Sequence, residues 1–223
     1  EELRAPLDDL LVRTEADPGA PFAPDVLEAL GFNLEMEPDA TVAMVREVGF
    51  GFFFAPRYHP AMRHAAPVRS SLGVRTVFNF LGPLTNPAGA SRLSVGTSDP
   101  RMAGLMVDVL RNRGAERAFV FYGEDGLDEL TTTGPSFIHR LRNGEVTTAE
   151  FTPEDFGVRR ATLDDLKGGS VEENAEILRS ILDGRPGPKR DIAVVNAAPA
   201  IVVSGLADGF VEAVDLAREP GHR

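Results

Sequence analysis

Residues 93–122 read LSVGTSDPRMAGLMVDVLRNRGAERAFVFY, and this stretch decides the fold class. Both of its ends, 93–97 and 118–122, are predicted to be strands, and the apolar run 118–122 is of the kind found in buried strands. Residues 100–113 between them have the period of an amphipathic helix, with an apolar face made of Met102, Leu105, Met106, Val109 and Leu110. A strand, a helix and a second strand in this order predict an α/β domain with a mostly parallel sheet flanked by helices.

The rest of the chain continues this alternation. Further helices are predicted over 25–30, 38–48, 171–182 and 209–218, where apolar periodicity ends near glycine or proline. In the helix over 171–182 we expect the inward side chains to be Val171, Leu178, Ile181 and Leu182. Strands are predicted over 50–55 and 192–195, because both segments are short apolar runs.

The N-terminal residues differ in composition from the rest of the chain. Residues 3–12 suit a short helix, whereas residues 15–24 hold Pro18, Pro21 and Pro24, which exclude a regular helix. The sequence therefore predicts a helix and proline-rich linker over 1–24 and a single α/β domain over 25–223.

Composition limits the functions to consider. The chain of 223 residues has a net charge of −11, so a nucleic-acid partner is not expected. It contains no run of 18 apolar residues, no signal-peptide pattern and no cysteine. These features predict a cytoplasmic protein with no membrane contact. A protein this acidic must concentrate its positive charge locally if it binds anions, and the stretch from Arg57 to Arg75 is the candidate.

That basic stretch comes directly after the apolar run over 50–55, and ligands of α/β sheets lie beyond the carboxyl ends of strands. Arg69 can hold a carboxylate through two parallel hydrogen bonds, which lysine cannot imitate. His59 can hydrogen-bond to a carboxylate or an amine. The alternative interpretation is a solvated basic helix face.

An acidic loop comes after the strand predicted over 118–122. Residues 124–129 carry four carboxylates, and Asp128 and Glu129 are adjacent near Gly126. Mg²⁺ is usually held by one or two carboxylates together with phosphate oxygens of a substrate. The pair therefore predicts a site for Mg²⁺ with a diphosphate, and an acidic surface loop is the alternative.

Two further segments have weaker signals. Asn79 and Asn86 flank a Gly-Pro turn, for which a structural role is the simpler interpretation. The small residues after Asn196 favour close packing of a helix.

Taken together, these segments resemble the anthranilate phosphoribosyltransferase family in order and spacing. The resemblance runs from about residue 25 to about residue 218, and its motifs are His59-Pro60-Ala61-Met62, Pro67-Val68-Arg69, Leu72-Gly73-Val74-Arg75-Thr76-Val77-Phe78-Asn79, Leu81-Gly82-Pro83-Leu84-Thr85-Asn86-Pro87, Gly126-Leu127-Asp128-Glu129-Leu130, Gly168-Gly169 with Glu173-Asn174-Ala175, and Asn196-Ala197-Ala198. The resemblance implies a large domain like that of the nucleoside phosphorylases and phosphoribosyltransferases. It also implies transfer of phosphoribosyl from phosphoribosyl diphosphate to anthranilate in tryptophan biosynthesis, usually by a homodimer.

The resemblance also assigns residues. Arg69 matches the family arginine that contacts the anthranilate carboxylate, and His59 lies in the segment that lines the anthranilate channel. Asp128 and Glu129 match the acidic pair that binds Mg²⁺, the implied cofactor.

This sequence departs from the family in its first part. The glycine-rich Gly-Thr-Gly-Gly-Asp loop, which cradles the diphosphate, does not occur, and residues 15–24 stand where the family has Lys-His-Gly-Asn-Arg. Only a vestigial N-terminal helical part is expected. The departures are expected of a fragment, a shortened form or a degenerate paralogue. The alternatives are a catalytically impaired binding or interaction domain and a relative of the pyrimidine nucleoside phosphorylases.

Overall fold

The computed structural model describes residues 23–59 and 78–219, which belong to two compact units that divide between Ala90 and Ser91. The helices described in the first unit are α1 (Ala23–Ala29), α2 (Pro38–Val48), α3 (Ala55–Tyr58) and α4 (Phe78–Leu84). Its core contains Val45, Phe53 and Ala88, with Tyr58 packed against them. The predicted helix over 3–12 and the domain boundary at residue 24 stay predictions, because residues 1–22 lie outside the described part. The linker predicted to reach residue 24 is wrong at its last two residues: helix α1 begins at Ala23 and includes Pro24, since proline is tolerated in the first turn of a helix.

The second unit is built on a four-stranded sheet with helices packed against it. Its strands are β1 (Arg92–Gly96), β2 (Arg117–Gly123), β3 (Ser136–Arg142) and β4 (Glu145–Phe151). Its helices are α5 (Pro100–Asn112), a short 3₁₀ helix (Pro153–Phe156), α6 (Leu163–Leu166), α7 (Val171–Leu182), α8 (Pro188–Ser204) and α9 (Phe210–Arg218). The sheet order is β1-β2-β3-β4, with β1 parallel to β2 and the other two pairs antiparallel. The α/β class is confirmed, but the described sheet is mixed rather than mostly parallel.

Local signals explain the elements that the sequence predicted well. Helix α2 begins at Pro38, whose missing N–H is not needed in a first turn. It ends at Gly49, which has a φ of 74° and donates its N–H to the Val45 carbonyl. Helix α5 begins after Asp99, whose side chain accepts the Arg101 N–H at 3.0 Å. These starts and stops depend only on residues within one or two turns, so the sequence predicts them correctly.

The inward faces of two helices were predicted only in part. In α5 the buried residues are Ala103, Met106, Val107 and Leu110, whereas Leu105 is 57% exposed. This face packs against β2 and β3, and Leu105 faces solvent. In α7 only Ala175 is buried and Leu182 is 73% exposed. That helix packs mainly against α8, so most of its surface meets solvent.

Two predicted strands are not strands. Residues 50–54 have no regular structure and lead into α3, with Phe53 buried and Phe50 52% exposed. Residues 192–195 lie inside the 17-residue helix α8, where Val194 and Val195 are buried. A short apolar run looks the same in a buried strand and in a buried helix, so local sequence does not separate the two.

The hairpin of β3 and β4 was missed, although its turn carries a signal. Asn143 and Gly144 lie between the strands with φ angles of 54° and 78°. Asn-Gly is the typical pair for a two-residue hairpin turn that needs positive φ. No helix in residues 23–59 and 78–219 is long and apolar enough to cross a membrane.

Candidate functional site

The acidic loop, residues 123–135, leaves β2 and returns to β3. The Glu124 N–H donates to the Pro135 carbonyl at 2.9 Å, which joins the two ends of the loop. Within it, the Gly123 N–H donates to the Leu127 carbonyl at 3.0 Å, and Gly126 adopts a φ of 86°. The loop is therefore tied by its own backbone before any side chain is considered.

The carboxylate of Asp125 points into this loop rather than away from it. Its Oδ1 accepts the Leu127 N–H at 3.2 Å, and its Oδ2 accepts the hydroxyls of Thr131 and Thr133, the latter at 2.6 Å. The Thr131 N–H in turn donates to Ser136 Oγ at 2.9 Å, and Thr131 and Ser136 are fully buried. Both oxygens of Asp125 are thus occupied by donors of the same loop.

A side chain from α8 holds the loop just after its acidic pair. Asn196 Oδ1 accepts the Leu130 N–H at 2.8 Å, and Asn196 Nδ2 donates to the Leu130 carbonyl at 2.8 Å. Leu130 is fully buried, so its backbone has no water to bond with instead. The sequence interpretation of Asn196 as part of a packing segment missed this amide–backbone pairing.

Gly96, the last residue of β1, makes room for the backbone of the acidic pair. A Cβ at Gly96 would lie 1.7 Å from the Asp128 carbonyl oxygen, far inside contact distance. The backbone of Asp128 therefore lies directly against the carboxyl end of β1. Because β1 and β2 are parallel, the pair stands at the edge of the sheet where ligands of α/β proteins bind.

The acidic pair itself, Asp128 and Glu129, is half-buried. In the part of the chain that the structure describes, no group of three or more His, Cys, Asp or Glu side chains is arranged to hold a metal ion. Two carboxylates alone suit Mg²⁺, which keeps several waters and takes its remaining ligands from substrate phosphates. The two carboxylates therefore fit Mg²⁺ bound together with a diphosphate.

The basic stretch is only partly described. Arg57 forms ion pairs with Glu37 and, at 3.7 Å, with Glu35, and the hydrogen bond with Glu37 raises the pKa of Arg57 above its ordinary value. His59 comes directly after α3, where its N–H donates to the Ala55 carbonyl at 2.9 Å. Arg57 is therefore neutralised within its own unit, and His59 is half-buried in that unit.

The other predicted positions are spread over both units. Arg69 lies outside the described residues, and so does the side chain of Asn79. Asn86 Oδ1 accepts the Ala88 N–H at 2.8 Å, which supports its interpretation as a turn residue. Asp128 and Glu129 stay adjacent in the second unit, while His59 belongs to the first.

Three residues with a part in the site were missed: Gly96, Asp125 and Asn196. The sequence does indicate the role of Asp125. Aspartate commonly accepts a hydrogen bond from the backbone N–H two residues on, here Leu127, and the threonines that follow can donate to it as well. Gly96 and Asn196 act through segments distant in sequence, and nothing close to them in the chain indicates it.

Comparison with known proteins identifies the family to which the chain belongs. The family described as "Glycosyl transferase family, a/b domain" matches residues 22–222, so the chain belongs to this family. The anthranilate phosphoribosyltransferase of Nitrosomonas europaea is 50% identical over 195 residues, which are 87% of this chain and 57% of the relative. That of Solibacter usitatus is 52% identical over 192 residues, covering 86% of this chain and 56% of the relative. The chain thus spans a little over half the length of these relatives.

Solved structures agree with this. The anthranilate phosphoribosyltransferase of Thermus thermophilus superposes with a TM-score of 0.86 and 41% identity over 97% of this chain and 64% of that one. The Saccharomyces cerevisiae enzyme in complex with phosphoribosyl diphosphate and Mg superposes with a TM-score of 0.80 and 26% identity, covering 89% and 57%. The resemblance stated from the sequence is therefore confirmed.

Proposed function

We propose that the chain is the α/β part of an anthranilate phosphoribosyltransferase, which transfers phosphoribosyl from phosphoribosyl diphosphate to anthranilate. The observation that carries the proposal is the acidic pair at the carboxyl edge of the parallel strands, in a chain about half identical to relatives of that name. The yeast neighbours in complex with phosphoribosyl diphosphate and Mg, and with 4-fluoroanthranilate, support both substrates. A cytoplasmic homodimer is part of the same proposal.

The acidic pair gives the second unit its part in the reaction. Asp128 and Glu129 would hold Mg²⁺ against the diphosphate, and the metal would neutralise the charge that develops on the departing pyrophosphate. Asp125 is not part of this ligand set, because both its oxygens already accept hydrogen bonds within the loop.

Phosphoribosyl transfer depends more on positioning of the two substrates than on proton transfer. The amine of anthranilate is neutral at pH 7 and already nucleophilic. Its nitrogen bonds to ribose C1 as the bond from C1 to the pyrophosphate oxygen breaks, and pyrophosphate leaves with the electron pair. The secondary ammonium that forms then releases a proton to solvent and becomes the neutral secondary amine. Orientation and electrostatic stabilisation of the two developing charges then supply most of the acceleration.

Recognition of anthranilate is proposed for the first unit. Arg69 would hold the carboxylate through two parallel N–H···O bonds, and His59 would line the channel beside it. Both assignments rest on the resemblance, and the kinetics of Arg69→Ala decide the first.

Calorimetry tests the metal assignment. Phosphoribosyl diphosphate is titrated into the chain with and without Mg²⁺, and we expect Asp128→Ala/Glu129→Ala to abolish the Mg²⁺ dependence of binding. Glu124→Ala is the matched control, since it removes an exposed carboxylate from the same loop. A double variant that binds the metal–diphosphate complex as well as the parent contradicts the proposal.

A second measurement addresses the alternative of an impaired binding domain. The 223 residues contain no Gly-Thr-Gly-Gly-Asp segment, whose backbone N–H groups form an anion site in the family. We expect this chain, assayed by itself, to transfer phosphoribosyl at least about a hundredfold more slowly than a complete family member, since losing one such donor commonly costs that much. A normal turnover number contradicts this expectation.

A further inference from the structure

We infer that Asp125 and Asn196 are positioning residues, which hold Asp128 and Glu129 from both sides in the arrangement that binds Mg²⁺ and diphosphate. The inference rests on the proposed function, because it gives these two residues a purpose only if the acidic pair binds metal. It gives a role to two side chains, Asp125 and Asn196, to which the family resemblance assigns none.

Asp125 closes the loop around the pair. Its carboxylate reaches forward to the hydroxyls of Thr131 and Thr133, six and eight residues along the chain. Asp128 and Glu129 lie within the segment closed in this way. Hydrogen bonds to an ionised acceptor are roughly twice as strong as those between neutral groups. The closure is therefore strong for a surface loop.

Asn196 fixes the other side of the pair to a rigid element. It pairs with the N–H and the carbonyl of Leu130 as a neighbouring strand would, across 66 residues of sequence. Its Nδ2 also donates to the Ile192 carbonyl at 3.0 Å, which sets the rotamer of the amide. Leu130 is the residue directly after Glu129, so the position of the pair is tied to the buried helix α8.

The need for such support arises from the metal. Mg²⁺ demands nearly octahedral geometry with short bonds to oxygen, and a pair on a free loop would sample many other arrangements. Groups that orient metal ligands typically account for a 10- to 100-fold change in affinity when they are replaced. Fixing both flanks of Asp128 and Glu129 removes that freedom before the metal arrives.

The experiment measures binding of Mg²⁺ with inorganic pyrophosphate by calorimetry. We expect Asn196→Ala and Asp125→Asn each to weaken binding by about 10- to 100-fold. Asn196→Asp sets an anionic oxygen against the Leu130 and Ile192 carbonyls in place of the donor, so its loss should be at least as large as that of Asn196→Ala.

The chain offers matched controls for both substitutions. Asn174 makes the same pair of hydrogen bonds to the backbone of one residue. Its Oδ1 accepts the Gly169 N–H at 2.9 Å, and its Nδ2 donates to the Gly169 carbonyl at 3.2 Å. Asp155 likewise accepts a backbone N–H and a hydroxyl from Thr152, at 2.7 and 2.8 Å. Neither residue lies in the acidic loop, so Asn174→Ala and Asp155→Asn should leave pyrophosphate binding unchanged.

Hydrogen exchange separates positioning from general loss of structure. In Asn196→Ala the Leu130 amide should exchange faster while the amides of β2 keep the protection of the parent. If that variant unfolds, Asp125→Asn decides the matter. A parent chain that does not bind Mg²⁺–pyrophosphate overturns both the proposed function and this inference. Binding that is lost in Asp128→Ala but kept in Asn196→Ala and Asp125→Asn overturns the inference alone.

Discussion

The basic stretch that begins at Arg57 and the acidic loop over 123–135 stand out equally in the sequence, yet the structure uses their charges differently. Arg57 is bound by Glu35 and Glu37, so its charge is neutralised inside the first unit. In the acidic loop, the Asp125 carboxylate accepts hydrogen bonds from the loop itself, whereas Asp128 is half-buried with its backbone against the carboxyl end of β1. The charge that a ligand can use is therefore what remains after internal partners are counted.

The largest effect is expected on the kinetics of anthranilate use, where replacement of Arg69 is compared with replacement of Arg57. In a complete enzyme, Arg69→Ala should lower kcat/KM for anthranilate. The corresponding rise in activation free energy should be about 2–4 kcal/mol, the range for truncating one partner of a desolvated charge pair. Binding of phosphoribosyl diphosphate should be nearly unchanged, and Arg69→Lys should recover only part of the loss. Steady-state kinetics with each substrate varied in turn measures both.

Arg57→Ala is the control for Arg69→Ala, because the guanidinium of Arg57 is already bound by two carboxylates. It should leave the anthranilate KM as it is. Equal kinetics for Arg69→Ala and the parent would show that Arg69 is a solvated residue.

A smaller effect is expected from Gly96→Ala, which breaks the approach of the acidic pair to β1. The added Cβ meets the Asp128 carbonyl, so we expect a loss of about 1–3 kcal/mol in the free energy of unfolding. Binding of Mg²⁺–pyrophosphate should weaken as well, because Asp128 must move. Urea denaturation and calorimetry give the two values.

Gly104→Ala is the matched control for Gly96→Ala. Its Cβ would meet only the His139 ring, at an ordinary 3.8 Å, and it lies in the interior of α5. Alanine in a helix interior is favoured over glycine by roughly 0.5–1 kcal/mol, so this variant should be slightly more stable. Equal stability of the two variants would rule out the steric account of Gly96.

The smallest effect is expected at two carboxylates outside the acidic loop, which accept hydrogen bonds from nearby backbone and hydroxyl groups. Hydrogen bonds from the Thr152 N–H and hydroxyl lower the pKa of Asp155, and those from the Thr162 hydroxyl and N–H lower the pKa of Asp165. A carboxylate whose pKa is lower in the folded state contributes stability that is complete above its ordinary pKa of 3.8 and is lost as the pH falls through the folded value.

We therefore expect the Tm to fall more steeply below pH 3.8 in the parent than in Asp155→Asn/Asp165→Asn, with melting monitored by circular dichroism. At pH 7 the double variant should melt slightly earlier than the parent. Parallel acid melting curves for the two chains would refute the assignment.

The fold was predictable from the sequence where its signals are local. Helix α2 carries its start in Pro38 and its stop in Gly49, and its predicted bounds are the observed ones. The segment 192–195 failed because four apolar residues suit a buried helix as well as a buried strand. The hairpin of β3 and β4 was overlooked although Asn143-Gly144 marks its turn.

The sequence by itself determined the α/β class, the order of strand, helix and strand over 93–122, and the presence of an acidic pair just after a buried strand. It could do so because periodicity, caps and turns act over a few residues. Only the tertiary structure decided that Asn196 bonds to Leu130 and that Gly96 makes room for Asp128. Those contacts arise where distant segments pack together, and their distances depend on the whole second unit rather than on either segment alone.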